Sequence, residues 1–374
     1  MKLQGPTLTP GCEALASLET PALVIDGESL EFNIERMAEA ARQAGVALRP
    51  HAKTHKSGEI ADLQIRAGAV GIACATLAEA EALAGRGITG LLITSPMMGE
   101  AKFARLARLN RTAPLTIVVD HPKQVEGLLA AFQPGDPKLR VVVDTDVGQA
   151  RTGVYELAAG KALAMMIAER PQFVFVGIQG FAGHAQHIHD PRERRAAGAQ
   201  AAATLCAFAN ALAEGGLPPA LITGSGTGTY SLDADGPYNE LQVGSYVFMD
   251  SDYAQIKDDY GQGLSFSPSL YVLATVVSVN RPGQVTVDAG TKALATNGPP
   301  PCVLIGAPQG AAYKFAGDEH GIVRIPEGKR QPALGDRMLI GTTHCDPTVN
   351  LHAAFHVLKN GTVSRWPILG RYEQ

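Results

Sequence analysis

The chain has no CxxC pair, and its five cysteines, Cys12, Cys74, Cys206, Cys302 and Cys345, are dispersed and odd in number. That excludes a zinc-ribbon site, argues against a disulfide framework and suits a reducing compartment. No stretch approaches the ~18 consecutive apolar residues of a membrane span, and the opening MKLQGPTLTPG lacks the apolar core of a signal peptide. A cytoplasmic location is therefore the default expectation, with no membrane partner. There is one tryptophan, no basic stripe, and a formal net charge of −4 from Asp and Glu scattered among Lys and Arg. Nothing there would hold a nucleic acid. Neither a GxxxxGK[ST] loop nor a GxGxxG after the first apolar run is present, so nucleotide binding is disfavoured and small molecules are the expected partners.

What is present is the balance of a compact globular protein, 45% hydrophobic against 18% charged over 374 residues, with 41 Gly and 24 Pro to make turns. Short apolar, β-branched runs alternate with longer amphipathic stretches, the form of repeated βα units that pair in parallel. The runs are Ala22 to Asp26, Ala47 to His51, Val70 to Cys74, Leu91 to Thr94, Leu115 to Val119, Leu139 to Asp144, Phe173 to Gln179 and Leu221 to Gly224. Helix patterns lie between them, such as Leu30 to Ala44, Leu77 to Ala84, Lys102 to Leu109 and Glu193 to Glu214, with Gly45, Gly85 and Gly215 at expected C-caps. The pattern predicts an α/β fold built on a TIM-type (β/α)8 barrel, an open doubly wound sheet being the second choice. Further on, the helical period gives way to short strand-like runs between Gly and Pro: Leu270 to Val279, Gln284 to Asp288, Gly321 to Ile325, Met338 to Ile340 and Phe355 to Leu358. The change of period marks a second, C-terminal all-β domain. The expected division is 20–260 for the barrel and 261–374, joined by 1–19, for the β domain.

Arg49-Pro50-His51-Ala52-Lys53-Thr54-His55-Lys56 follows the second apolar run, at the barrel rim where catalytic residues are found. A lysine at the edge of a low-dielectric cavity is pushed toward the neutral amine that carbonyl chemistry needs. If extended structure persists, Arg49, His51 and Lys53 share one face, which favours Lys53 over Lys56. Taken alone, a basic solvated loop explains the segment as well.

The Arg-Pro-His-Ala-Lys-Thr-His-Lys run resembles the lysine motif of the D-threonine aldolase and D-serine dehydratase family, pyridoxal-phosphate (PLP) enzymes of the alanine-racemase-like fold. Thr20-Pro21-Ala22-Leu23-Val24-Ile25-Asp26 and the later motifs fall in family order, so the likeness covers nearly the whole chain. It implies that Lys53 binds the cofactor covalently. Asp144-Thr145-Asp146-Val147-Gly148-Gln149-Ala150-Arg151, expected to lead from the sixth strand into a helix, gives Arg151 the cation that faces the cofactor's phenolic oxygen in similar enzymes. Gly224-Ser225-Gly226-Thr227-Gly228-Thr229 combines N–H groups free to converge on an anion with added hydroxyls, so a phosphate fits Ser225, Gly226 and Thr227. By the likeness, Tyr246 neighbours the phosphate or ring.

Gln179-Gly180-Phe181-Ala182-Gly183-His184-Ala185-Gln186-His187-Ile188-His189 ends the seventh run and carries three of the ten histidines. His is the side chain that exchanges protons near neutral pH. Family resemblance selects His187 as the proton-handling residue and counts Gln179 among the cofactor contacts; Phe181 departs from the Tyr that relatives carry.

In Thr342-Thr343-His344-Cys345-Asp346-Pro347-Thr348-Val349-Asn350, an extended backbone would turn His344 and Asp346 to one side and Cys345 to the other. Similar dehydratases carry His-x-Cys, whereas D-threonine aldolases carry His-x-Asp. A carboxylate in place of a thiolate shifts preference from zinc toward hard cations, manganese first, with magnesium or calcium next. Cys345 remains a candidate ligand if the segment is looped. His352 and His356 are four apart, but the surrounding pattern reads as strand, and Asp288-Ala289-Gly290-Thr291-Lys292 reads as a tight turn.

The resemblance implies a metal-activated, PLP-dependent aldolase that cleaves D-threonine and other D-3-hydroxy amino acids to glycine and an aldehyde, acting as a homodimer. A D-serine or D-3-hydroxyaspartate dehydratase is the first alternative. An alanine-type racemase leaves His344 and Asp346 unexplained, and a non-catalytic PLP-binding protein leaves the β domain unexplained.

Overall fold

The computed structural model describes residues 8–258, 260–301 and 304–371, which leaves Cys302 outside the described residues. The strands are β1 (Ala22–Asp26), β2 (Ala47–Leu48), β3 (Ala73–Cys74), β4 (Leu91–Ile93), β5 (Leu115–Val119), β6 (Leu139–Asp144), β7 (Phe173–Gly180), β8 (Leu221–Gly224), β9 (Glu240–Leu241), β10 (Leu270–Ser278), β11 (Gln284–Val287), β12 (Leu304–Ile305), β13 (Ala312–Phe315), β14 (Gly321–Arg324), β15 (Arg337–Gly341), β16 (Ala354–Lys359) and β17 (Thr362–Pro367).

One sheet is parallel and has eight strands in the order β2-β9-β8-β7-β6-β5-β4-β3. Its ends meet through a parallel bridge between His51 and Ala73, which closes the barrel beside the lysine motif. Leu-Thr-Ile-Val-Val in β5 is buried throughout, and β6 exposes only Arg140, as parallel strands covered on both faces require. Leu92, Val118, Val142 and Val176, from four successive strands, form one apolar cluster. Several helices between strands start on side-chain caps: Ser57 accepts from Ile60 N, Thr76 from Glu79 N, and Asp190, ahead of Pro191, from Arg192 N and Glu193 N. Helix Pro191–Glu214 is long and apolar enough on average to cross a membrane, yet its buried residues Arg194, Gly198, Ala201, Leu205, Phe208 and Leu212 recur at helical spacing. That periodicity is what a helix packed by one face shows.

The barrel differs from expectation at both ends of the series. Ala22–Asp26 is not its first strand: β1 pairs antiparallel with β10 and parallel with β16 in the other sheet. Five consecutive buried residues read the same in either sheet, and pairing with segments more than 240 residues away leaves no local trace. The missing eighth strand is β9, two residues long and too short to carry a period.

The other sheet has nine strands, ordered β13-β14-β11-β10-β1-β16-β17, with β15 between β10 and β12. Its core joins Leu8, Leu15, Ala22, Val24, Tyr271, Leu273, Leu339 and Leu358. The compact units accordingly divide elsewhere than at 260: Met37–Gly244, Lys257–Gly261 and the segment from Leu369 form the barrel unit, while residues up to Arg36, Ser245–Ile256 and Gln262–Ile368 form the β unit.

Candidate active site

In the barrel unit, the chain leaves β2 still extended at His51 (φ −93°, ψ 114°) and then turns through Ala52–Thr54. Extended structure therefore stops before Lys53, and side-chain alternation does not select between the lysines. Pairing does. Lys56, in a left-handed conformation (φ 49°), puts its ammonium 3.1 Å from the buried Glu79 carboxylate and 3.4 Å from Gly370 O. Lys53 is half-buried in the turn. His51 Nδ1 accepts from Lys53 N at 3.2 Å, which leaves the ring proton on Nε2 to be donated to Thr94 Oγ1 at 2.9 Å; that hydroxyl donates in turn to Cys74 O at 3.1 Å.

Below this turn the barrel interior is polar. Gln179 is buried, and its amide donates to Thr94 O (3.0 Å) and Asp144 Oδ1 (2.8 Å) while its oxygen accepts from Gln242 (3.1 Å). Both amide hydrogens are engaged inside the barrel, so Gln179 braces Thr94 against Asp144. Gln242 also donates to Thr223 Oγ1, which donates to Glu240, and Glu240 closes on the Arg49 guanidinium at 2.8 and 2.9 Å. Burial pushes the Asp144 carboxyl up to about 6, against the hydrogen bonds from Gln179 and Thr152.

Arg151 lies exposed in a loop pinned by the Thr145–Val154 bridge; the next helix starts only at Leu157, later than expected. Its guanidinium carbon is 5.7 Å from the centroid of the Phe181 ring, so the residue that departs from the family pattern carries the cation on its face. His184, His187 and His189 are all exposed. Gln186, which the sequence did not single out, turns inward: it accepts from Gly228 N at 2.9 Å and donates to Thr229 Oγ1 at 2.9 Å. A Cβ on Gly226 would stand 2.3 Å from Gln186 Oε1, and one on Gly228 2.2 Å from Gln186 O. Those glycines are thus required first by close approach of the Gln186 segment.

The glycine loop still suits a phosphate. Ser225 is left-handed (φ 73°), a conformation that turns successive N–H groups together, and its buried hydroxyl lies beside the Asp233 carboxyl. The Thr54 hydroxyl, next to Lys53, is buried without a partner, and lies where a Cβ on Gly244 would meet it at 2.7 Å. A loop whose N–H groups converge and an unpaired buried hydroxyl beside the lysine fit an anionic cofactor held at both places.

Tyr246 belongs to the β unit, fully buried, with its ring 5.7 Å from Phe266. In the same unit His344 is extended (φ −143°, ψ 124°) and is followed by the helix Cys345–Leu351. The expected extended run through Asp346 therefore does not form, because Pro347 and the Thr348 hydroxyl, which donates to His344 O at 2.7 Å, favour a first helical turn. Cys345 is buried, its N–H donates to Asp250 Oδ2 at 3.2 Å, and burial pushes its thiol well up. Asp250, another residue unmarked in the sequence, also accepts from Asp252 N and Tyr253 N. Asp346 is half-buried, and one turn on, the Asn350 side-chain oxygen is buried without a partner. Among the described residues no three His, Cys, Asp or Glu side chains converge as a metal cage. The donors fit a hard cation only as a two-ligand site completed by neutral oxygens, for which an orphaned amide carbonyl is suited.

Two segments set aside in the sequence are structural. His352 ends the helix with Nε2 2.9 Å from Ala293 O, while His356 lies in β16; Asp288 accepts from Thr275 N and Thr20 Oγ1.

A lysine turn beyond a parallel barrel, in one chain with a β unit, is the build of the alanine-racemase-like pyridoxal-phosphate enzymes, and that is the class of this protein. The chain belongs to the alanine racemase N-terminal domain family, whose model matches residues 25–252, and a serine dehydratase domain model matches residues 269–358. It is 39% identical to the D-threonine aldolase of Arthrobacter sp., over 98% of this chain and 96% of that protein. It is 36% identical to the 3-hydroxy-D-aspartate aldolase of Paracoccus denitrificans (strain Pd 1222), over 97% and 94%. The crystal structure of the D-threonine aldolase from Filomicrobium marinum superimposes with a TM-score of 0.91 at 37% identity, over 95% and 96% of the two chains. The protein is a PLP-dependent lyase by these similarities.

Proposed function

We propose that this protein is an aldolase that cleaves D-3-hydroxy amino acids, D-threonine among them, to glycine and an aldehyde, with PLP and a divalent cation, manganese foremost. The observation that carries the reading is at the metal motif: Cys345 is turned into the protein interior, leaving His344 and Asp346 as the side chains able to ligate. A hard donor pair suits a cation that holds an alkoxide-forming hydroxyl and not one that expels hydroxide through a thiolate site. The similarity to two aldolases supports the same reading.

PLP supplies an electron sink for the bond broken at Cα, and the cation supplies positive charge beside the substrate hydroxyl. The chain's own residues do the rest. Lys53 holds the cofactor through its amine, and His51 fixes the turn that carries Lys53. The Ser225, Gly226 and Thr227 loop grips the phosphate, with Gln186 behind it. Arg151 sets a cation opposite the phenolic oxygen. His187 accepts the hydroxyl proton, and its exposed position leaves it room to reach a substrate.

Incubating purified holoenzyme with D-threonine, with and without a chelator, tests the reading. Glycine and acetaldehyde, formed only with metal, are expected. 2-Oxobutanoate would instead identify a dehydratase, and L-threonine or L-allo-threonine a racemase or epimerase. Comparing D-threonine with D-3-hydroxyaspartate then ranks the substrates.

A further inference from the structure

Asn297 Nδ2 lies 2.9 Å from His344 Nδ1. The contact is held in place by its surroundings. Ala295 N donates to Thr348 Oγ1 at 3.1 Å, Thr343 Oγ1 donates to Ala295 O at 2.5 Å, and a Cβ on Gly298 would come within 3.1 Å of Thr343 O. Residues 295–298 are thereby strapped alongside 343–348, and Asn297 reaches the imidazole from a fixed backbone.

A neutral imidazole has one protonated nitrogen and one bare one. With the amide nitrogen toward Nδ1, the amide donates, Nδ1 is bare and Nε2 carries the proton. Turning the amide by half a rotation exchanges Nδ2 for Oδ1 at nearly the same position. Oδ1 then accepts Nδ1–H, and Nε2 is left bare and directed away from Asn297. Ligating histidines are commonly held this way, with the remote N–H given to an oxygen acceptor.

We propose that Asn297 is a positioning residue for the metal motif, an amide latch whose turned state selects the His344 tautomer able to bind a divalent cation through Nε2. The proposal rests on the reading of His344 as a ligand. It requires that the oxygen of Asn297, not its nitrogen, supports binding. Asp at this position can only accept and is locked in the supporting state, whereas Ala offers nothing.

The test is titration of Mn²⁺ into the PLP-loaded, metal-stripped enzyme, followed by electron paramagnetic resonance of free Mn²⁺, for Asn297→Ala, Asn297→Asp and His344→Ala. Circular dichroism and the cofactor's visible band show that each variant is folded. Asn297→Ala should weaken binding by ~10–100-fold, the usual effect of losing such a partner, and Asn297→Asp should bind at least as tightly as the parent. ¹⁵N-histidine spectra of metal-stripped Asn297→Asp should show His344 protonated at Nδ1, a signature that added charge alone would not produce. Unchanged affinity in Asn297→Ala, or equal loss in Asn297→Asp, overturns the latch while leaving His344 a ligand. Unchanged affinity in His344→Ala overturns the metal reading and the latch with it.

Discussion

Lys56 Nζ is 3.1 Å from Oε1 of Glu79, and both side chains are buried, at 10% and 3% exposure. Glu79 also accepts from Ala75 N at 2.7 Å, so the pair ties the lysine turn to the start of the next helix. The two lysines of the motif thus predict opposite phenotypes. Lys56→Met strands a buried carboxylate and should cost ~3–5 kcal/mol in denaturant unfolding, while the cofactor's visible band survives. Lys53→Ala should abolish that band. A band that persists without Lys53 would remove it from the site.

Asp144 carries a pH dependence of stability with a definite sign. Its carboxyl rises from 3.8 to about 6 in the folded chain. The folded state therefore holds a proton that the unfolded chain has released, and stability falls as pH rises through that window. The term is on the order of 3 kcal/mol, fully present below the unfolded value and lost above about 6. Asp144→Asn can still accept from Gln179, and the Thr152 hydroxyl can turn to accept from the new amide. Asp233, also raised to about 6 by burial, contributes to both proteins alike, so from pH 3.5 to 7.5 the unfolding free energy of the parent should fall more steeply than that of the variant, by the Asp144 term. Parallel profiles would refute it.

The barrel and β domain were legible because parallel βα units leave a period of their own, and an all-β region leaves another. Membership of β1 was not, since its buried run suits either sheet and only pairing with β10 and β16 decides. Lys53 was reached by resemblance, and the side-chain alternation offered for it fails because the chain turns at Ala52. What the sequence does not disclose at Gln179 is that its amide hydrogens go to Asp144 and to the Thr94 carbonyl. Gln186, Asp250 and Asn297 carry no signal at all in a single sequence. Each matters for a contact with a backbone or ring from another segment, and a polar residue in a polar loop does not announce that.

Cys345 lies between the two proposed ligands and, unlike them, is fully buried. Cys345→Ala should leave Mn²⁺ affinity and aldolase activity within about twofold, and lower stability by ~1 kcal/mol for the volume lost. Asp346→Ala should abolish metal-dependent turnover and keep the visible band. If the cysteine variant loses metal as completely as the aspartate variant, the thiol is a ligand and the hard-donor reading is wrong.

Gly226 and Gly228 separate steric from anionic roles in the phosphate loop. Each faces Gln186, but a Cβ at 226 meets the end of its side chain and a Cβ at 228 meets its backbone oxygen. Gly226→Ala should weaken PLP binding by displacing Gln186, whose hydrogen bonds to Gly228 N and Thr229 hold the loop in shape. In a Gln186→Ala background the clash is gone, so the same alanine should cost far less, a coupling of ~0.5–3 kcal/mol in a double-mutant cycle. Gly228→Ala should be severe in both backgrounds, because no side-chain truncation moves a carbonyl oxygen. PLP dissociation constants measured by fluorescence quenching give all three comparisons. Additive effects of Gly226→Ala and Gln186→Ala would mean that the glycine is there for the phosphate and not for the glutamine.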